Sequence, residues 1–112
     1  MKHVTYSDKS LLVGDEAADL ILEYAAAIAN SGRADTVVLR ALGVEGNDVE
    51  ATFLLDSGTI MMAETATTTV EEPDNNEAIR YMNWRLEALR SQSRTSRFSA
   101  EDLTDVDHSS YE

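Results

Sequence analysis

Between Val49 and Leu55 the apolar residues Val49, Ala51, Phe53 and Leu55 alternate with Glu50, Thr52 and Leu54. A period of two places the first set on one face of an extended strand, and that face has to be covered. A lone strand cannot cover itself, so the chain needs a sheet with something packed on it. The segments Thr36 to Val44 and Thr59 to Thr67 are also β-prone, and they are set off by Glu45-Gly46-Asn47-Asp48 and by Asp56-Ser57-Gly58. These turn-forming residues predict two successive hairpins. With Ser57-Gly58 as a two-residue loop, Leu55 lies opposite Ile60 and Phe53 opposite Met62. In the preceding strand Val37, Leu39 and Ala41 are assigned to the core face, because the other choice buries Arg40 without a partner.

The remaining elements follow from periodicity. Val4-Thr5-Tyr6 and Leu11-Leu12-Val13, separated by Ser7-Asp8-Lys9-Ser10, read as a further hairpin. From Asp15 to Asn30, Leu20, Ile21, Tyr24, Ala27 and Ile28 form the stripe of an amphipathic helix, with Asp15, Glu16 and Asp19 at its positive end and Gly32 to stop it. Asp74 followed by Glu77 matches a capping box, and Ile79, Met82, Leu86 and Leu89 define one face of a second helix to about Arg90. The order ββαβββα predicts an α+β fold, a single antiparallel sheet with two helices on one face. Residues 1–91 make the compact domain. Residues 92–112 lack apolar periodicity and are expected to form a flexible polar and acidic tail.

A chain of 112 residues, 43% hydrophobic, has material for one core and not for two. It contains no cysteine, which removes disulfides and thiolate chemistry together. No run reaches the ~20 apolar residues of a membrane span, and the first residues lack a signal-peptide core, so no membrane association and a cytoplasmic location are expected. The formal charge of −12 repels phosphate backbones and argues against direct nucleic-acid binding. The same charge suits a basic protein partner. One form of this is an acidic decoy occupying the basic groove of a nucleic-acid-binding protein.

Signatures of catalysis are sparse. Leu54-Leu55-Asp56-Ser57-Gly58-Thr59 is similar to the Asp-Ser/Thr-Gly loop of aspartic proteases, a resemblance covering six residues that implies a dimeric enzyme sharing a proton between two Asp56 carboxyls. Those enzymes are almost entirely β, whereas this chain devotes two segments to helix. The same residues also make an ordinary tight turn, which is the reading adopted. His3 and His108 stand at opposite ends, without metal-ligand spacing. Asp105, Asp107 and Ser109 begin like a calcium loop, but Ser110 occupies the position of the turn glycine. Glu71-Glu72 reads as solvated surface, and neither a nucleophile elbow nor a phosphate-binding glycine loop occurs. The expectation is a non-enzymatic domain with no cofactor and no metal.

Two features suggest contacts with other proteins. On a helical wheel Trp84 falls nearly opposite the Ile79, Met82, Leu86 and Leu89 stripe, with Tyr81 beside it; such aromatics anchor interfaces when they are not covered internally, for example by Phe98. Val38, Leu42, Leu54 and Met61 are assigned to the outer face of the sheet, which two helices on the inner face leave bare. These six residues form the expected interface, and homodimerisation is the favoured use.

Overall fold

The alternation at the start of the chain yields a hairpin of β1 (Lys2–Tyr6) and β2 (Lys9–Val13). Its turn places Ser7 at φ 60°. This is a computed structural model that describes the backbone of residues 1–104 and the side chains of residues 1–92. Helix α1 (Asp15–Ser31) buries Ala17, Ala18, Leu20, Ile21, Tyr24, Ala25 and Ile28, the stripe its periodicity requires. It stops at Gly32, whose φ of 69° costs a residue without Cβ nothing. There the N–H groups of Gly32 and Arg33 bond the carbonyls of Ala29 and Ile28, using acceptors the helix end leaves over.

Strands β3 (Asp35–Leu42) and β4 (Asp48–Leu55) form the second hairpin, closed by Gly43 N–H to Asn47 C=O at 2.8 Å. Strand β5 (Met61–Thr65) and helix α2 (Asn76–Thr104) complete the ββαβββα order. The five strands make one antiparallel sheet in the order β4-β3-β2-β1-β5.

That order corrects the expected meander. β4 and β5 do not pair; they lie at opposite edges, and β5 adds to β1 with Ala63 opposite Val4 and Met61 opposite Tyr6. Leu55 therefore faces Asp35 and Phe53 faces Val37, while Met62 faces Thr5. The cause lies in the link. Asp56 Oδ1 accepts from Gly58 N–H at 2.8 Å, Thr59 N–H bonds Asp56 C=O, and Thr59 Oγ1 accepts from Asp56 N–H. These local bonds complete a turn by Thr59, and Ile60 C=O then accepts from Ser7 N–H at 3.0 Å, which feeds the chain onto β1.

β2 and β3 share the single pair Leu12 and Leu42, so the sheet folds over at that corner. The end of β4 comes back to the end of β1: Tyr6 Oη donates to Leu54 C=O, and the Tyr6 and Phe53 rings meet edge to face at 5.7 Å. Both helices pack on the inner face. Val4, Val13, Val37, Leu39, Ala41, Phe53 and Leu55 from the sheet meet Ile21, Tyr24 and Ile28 of α1 and Met82, Leu86 and Leu89 of α2. Val37, Leu39 and Ala41 thus face the core as assigned, and Arg40 is exposed.

The start of α2 differs in detail from the capping box. Asp74 Oδ1 accepts from Asn76 N–H in a local turn, and the first helical bond runs from Ile79 N–H to Asn75 C=O. Asn75, 7% exposed, turns its amide to β3 instead of capping the helix. The bounds of α2 run beyond the expected end near Arg90. Of the expected flexible tail, residues 93–112, with Asp105, Asp107, His108 and Ser109, lie outside the residues whose side chains are described. No helix among the described residues is long and apolar enough to cross a membrane.

Candidate interaction surface

Where α1, the start of β3 and α2 meet, three elements share one carboxylate. Tyr24 Oη of α1 and Tyr81 Oη of α2, the latter at 2.6 Å, both donate to Asp35 Oδ2, and Thr36 N–H donates to Asp35 Oδ1 at 2.8 Å. The Arg85 guanidinium approaches the same group from α2. Burial pushes the Asp35 carboxyl up, but the bonds from Tyr24, Tyr81 and Thr36, with the charge of Arg85, outweigh it and hold the carboxyl below its ordinary range. Tyr24 is fully buried, and its hydroxyl is pushed well above the ordinary tyrosine value, first by burial and then by its bond to the Asp35 carboxylate. Tyr81 shifts the same way for the same first reason. Arg85 is raised by its bond to the Tyr24 hydroxyl, against desolvation.

This clasp matters because of what it carries. Tyr81 meets Tyr24 edge to face at 6.3 Å on its inner side and Trp84 at 6.1 Å on its outer side. The Arg85 guanidinium stands 5.8 Å from the centre of the Trp84 ring, within reach of its π face. Trp84 is nevertheless 64% exposed. It is a large aromatic held in place from below and open from above, the arrangement that lowers the entropic cost of a contact. Phe98, named above as a candidate internal cover for the indole, lies outside the residues whose side chains are described.

Trp84, Tyr81, Val38 and Leu54, four of the six residues expected at an interface, are exposed. Val38, 47% exposed, and Tyr81 line one shallow hollow with Thr36 and Ala78. Leu54, 50% exposed, lies across from Thr36 and diagonal to Val38 on the outer face of the β3–β4 hairpin. The other two are corrected. Met61 points inward opposite Tyr6 and packs against the core, because pairing with β1 in place of β4 sets its face. Leu42 is 7% exposed, since it pairs with Leu12 at the corner where the sheet folds.

Other features carry less chemistry. A cleft of about 790 Å³ opens between the two hairpins, with Val4, Tyr6, Leu11, Ala51 and Phe53 on its walls and Asp8, Lys9, Glu45 and Glu50 around it. Asp56 lies in the turn described above, its carboxylate engaged with the backbone of Gly58. Among the described residues no three His, Cys, Asp or Glu side chains converge as a metal site would require. The Tyr24, Asp35 and Arg85 grouping escaped the sequence reading, since its members sit on three elements with no local spacing in common. A hint was present in Tyr24, a polar-tipped residue inside an otherwise aliphatic stripe. Comparison of the chain with protein-family models, curated proteins and solved structures finds no match, so the surface has to be interpreted from its own geometry.

Proposed function

We propose that this chain is a non-enzymatic protein-interaction domain that works as a homodimer, with its contact surface centred on Trp84 and Tyr81 and continued by Val38 and Leu54. The observation that carries this reading is the exposure of Trp84 on a support fixed by Tyr81 and Arg85. An indole so placed adds contact area without a loop having to be ordered first, which is how the few residues that dominate an interface act.

The charge distribution supports the same location. Between Asn76 and Gln92 three arginines face two glutamates, in a chain whose formal charge is −12. Two copies therefore repel each other less where their α2 helices meet than the formal charge of the whole chain implies. The test is sedimentation equilibrium of the chain and of its Trp84→Ala variant. Concentration-dependent dimerisation that the variant weakens at least ~10-fold, a cost on the scale of a hot-spot residue, supports the reading. A monomer at every concentration, or a dimer indifferent to the substitution, overturns it.

A further inference from the structure

The outer face of α2 is complementary to itself. At about 100° per residue, Tyr81 and Ala88 flank Trp84 on one side, three residues before it and four after. Arg80 and Glu87 flank it on the other side, four before and three after. Arg80, Trp84 and Glu87 are exposed, and among the described residues neither Arg80 nor Glu87 is in an ion pair. A glutamate and an arginine seven positions apart on one helix stand about 10 Å from each other along the axis, too far to pair. Each is left with a charge to offer a partner.

Resting on the homodimer reading above, we propose that α2 of a second copy packs antiparallel against this face, with the two-fold axis passing beside Trp84. A two-fold axis perpendicular to the helices brings positions equally distant from Trp84 opposite each other and keeps each flank against its like. Arg80 then comes within about one residue, 1.5 Å along the axis, of Glu87 of the second copy, and the symmetric pair forms at the other end. On the opposite flank the Tyr81 ring rests over the small Ala88 of the second copy, and the two indoles meet at the centre. The antiparallel direction is selected by charge. In a parallel pairing the two-fold runs along the helices and sets the Arg80 and Glu87 flank of each copy against the Tyr81 and Ala88 flank of the other, so both charges lose an opposite partner.

The size of the contact bounds its strength. Two pairs of Tyr and Trp at roughly 150 to 250 Å² each bury less than the ~1,200 to 2,000 Å² of stable interfaces, so the expected dissociation constant is on the order of 10 μM. Trp84 is the only tryptophan, and its emission reports burial directly.

The experiment is charge exchange read by sedimentation equilibrium, with tryptophan emission followed over the same concentrations and the thermal midpoint checking that each variant is folded. Arg80→Glu and Glu87→Arg are each expected to raise the dissociation constant at least ~10-fold, and the double exchange to bring it back within about threefold, because the pair is restored with reversed polarity. Emission of the unmodified chain is expected to shift to the blue on dimerisation. If Trp84→Ala weakens the dimer while the single reversals do not, or if the double exchange fails to restore it, the antiparallel register is overturned and the interaction surface stands. A monomer up to about 500 μM, well above the expected constant, overturns both.

Discussion

Asn75 completes the edge of β3 at Arg40. Its Oδ1 accepts from Arg40 N–H at 2.7 Å and its Nδ2 donates to Arg40 C=O at 2.9 Å, the two bonds a paired strand residue would have supplied. β2 pairs with β3 at Leu42 and then leaves it for α1, so a side-chain amide at the start of α2 takes over the ladder. Asn75→Ala is expected to lose about 2 to 4 kcal/mol in urea denaturation, since two backbone groups are left without partners. Asn75→Asp should also destabilise, because a carboxylate keeps the acceptor but loses the donor. An unchanged midpoint for either variant contradicts the account.

Trp84→Ala is expected to change the stability of the monomer by less than about 1 kcal/mol, whereas Met82→Ala, two positions away on the same helix, should cost about 2 to 5 kcal/mol. Met82 is 0% exposed and Trp84 is 64% exposed, so one substitution empties a core site and the other trims a surface. Thermal and chemical unfolding at a concentration low enough to keep the chain monomeric measures both.

The Asp35 clasp makes stability depend on pH at both ends. The carboxyl is lowered in the folded state, so its contribution is present above the ordinary aspartate value of about 3.9 and is lost as pH falls through the folded value. The Tyr24 hydroxyl is raised, so its contribution is complete below about pH 10 and is lost as pH rises toward the folded value. Tyr24→Phe is expected to flatten the alkaline limb and to move the acid limb to higher pH, as Asp35 loses one of its donors. Urea midpoints from pH 2 to 11 in the two proteins provide the check, and superimposable profiles would refute the assignment.

Tyr6 anchors the folded-over sheet through its hydroxyl on Leu54 C=O and its ring on Phe53. Tyr6→Phe keeps the ring and removes the hydroxyl, and it is expected to cost about 0.5 to 1.5 kcal/mol. Amide exchange should rise at the end of β4 and stay unchanged in the β1–β2 hairpin. Equal acceleration in both would place the effect on the whole fold.

Elements whose signal is local were legible before the structure. The stripe of α1, the alternation in β4 and the left-handed stop at Gly32 each follow from residues a few positions apart. The partner of β5 was not legible, because the alternation in Met61–Thr65 suits any neighbour with an apolar face, and only the turn around Asp56 and Thr59 decides which neighbour it reaches. The error then propagated to a site residue: moving β5 from β4 to β1 turned Met61 inward. Trp84 was placed outward correctly because helical phase depends on one element alone. The Asp35 clasp needed the relative positions of three elements, which no spacing along the chain encodes.

The pairing of β5 with β1 also dictates an order of events during folding. The β1–β2 and β3–β4 hairpins join neighbouring segments and can close within microseconds, but Lys2 and Thr65 are about sixty residues apart, so their pairing closes a longer loop and is expected to form last. Until β5 docks, the outer rim of β1 is a bare strand edge, open to pairing with a neighbouring chain. A substitution that weakens this last step, such as Ala63→Gly in β5, should speed unfolding while leaving the refolding rate almost untouched, and stopped-flow chevrons would expose a refolding effect if the docking were early. The chain's window of vulnerability to aggregation is therefore the interval between the closing of its hairpins and the arrival of its shortest-signalled strand.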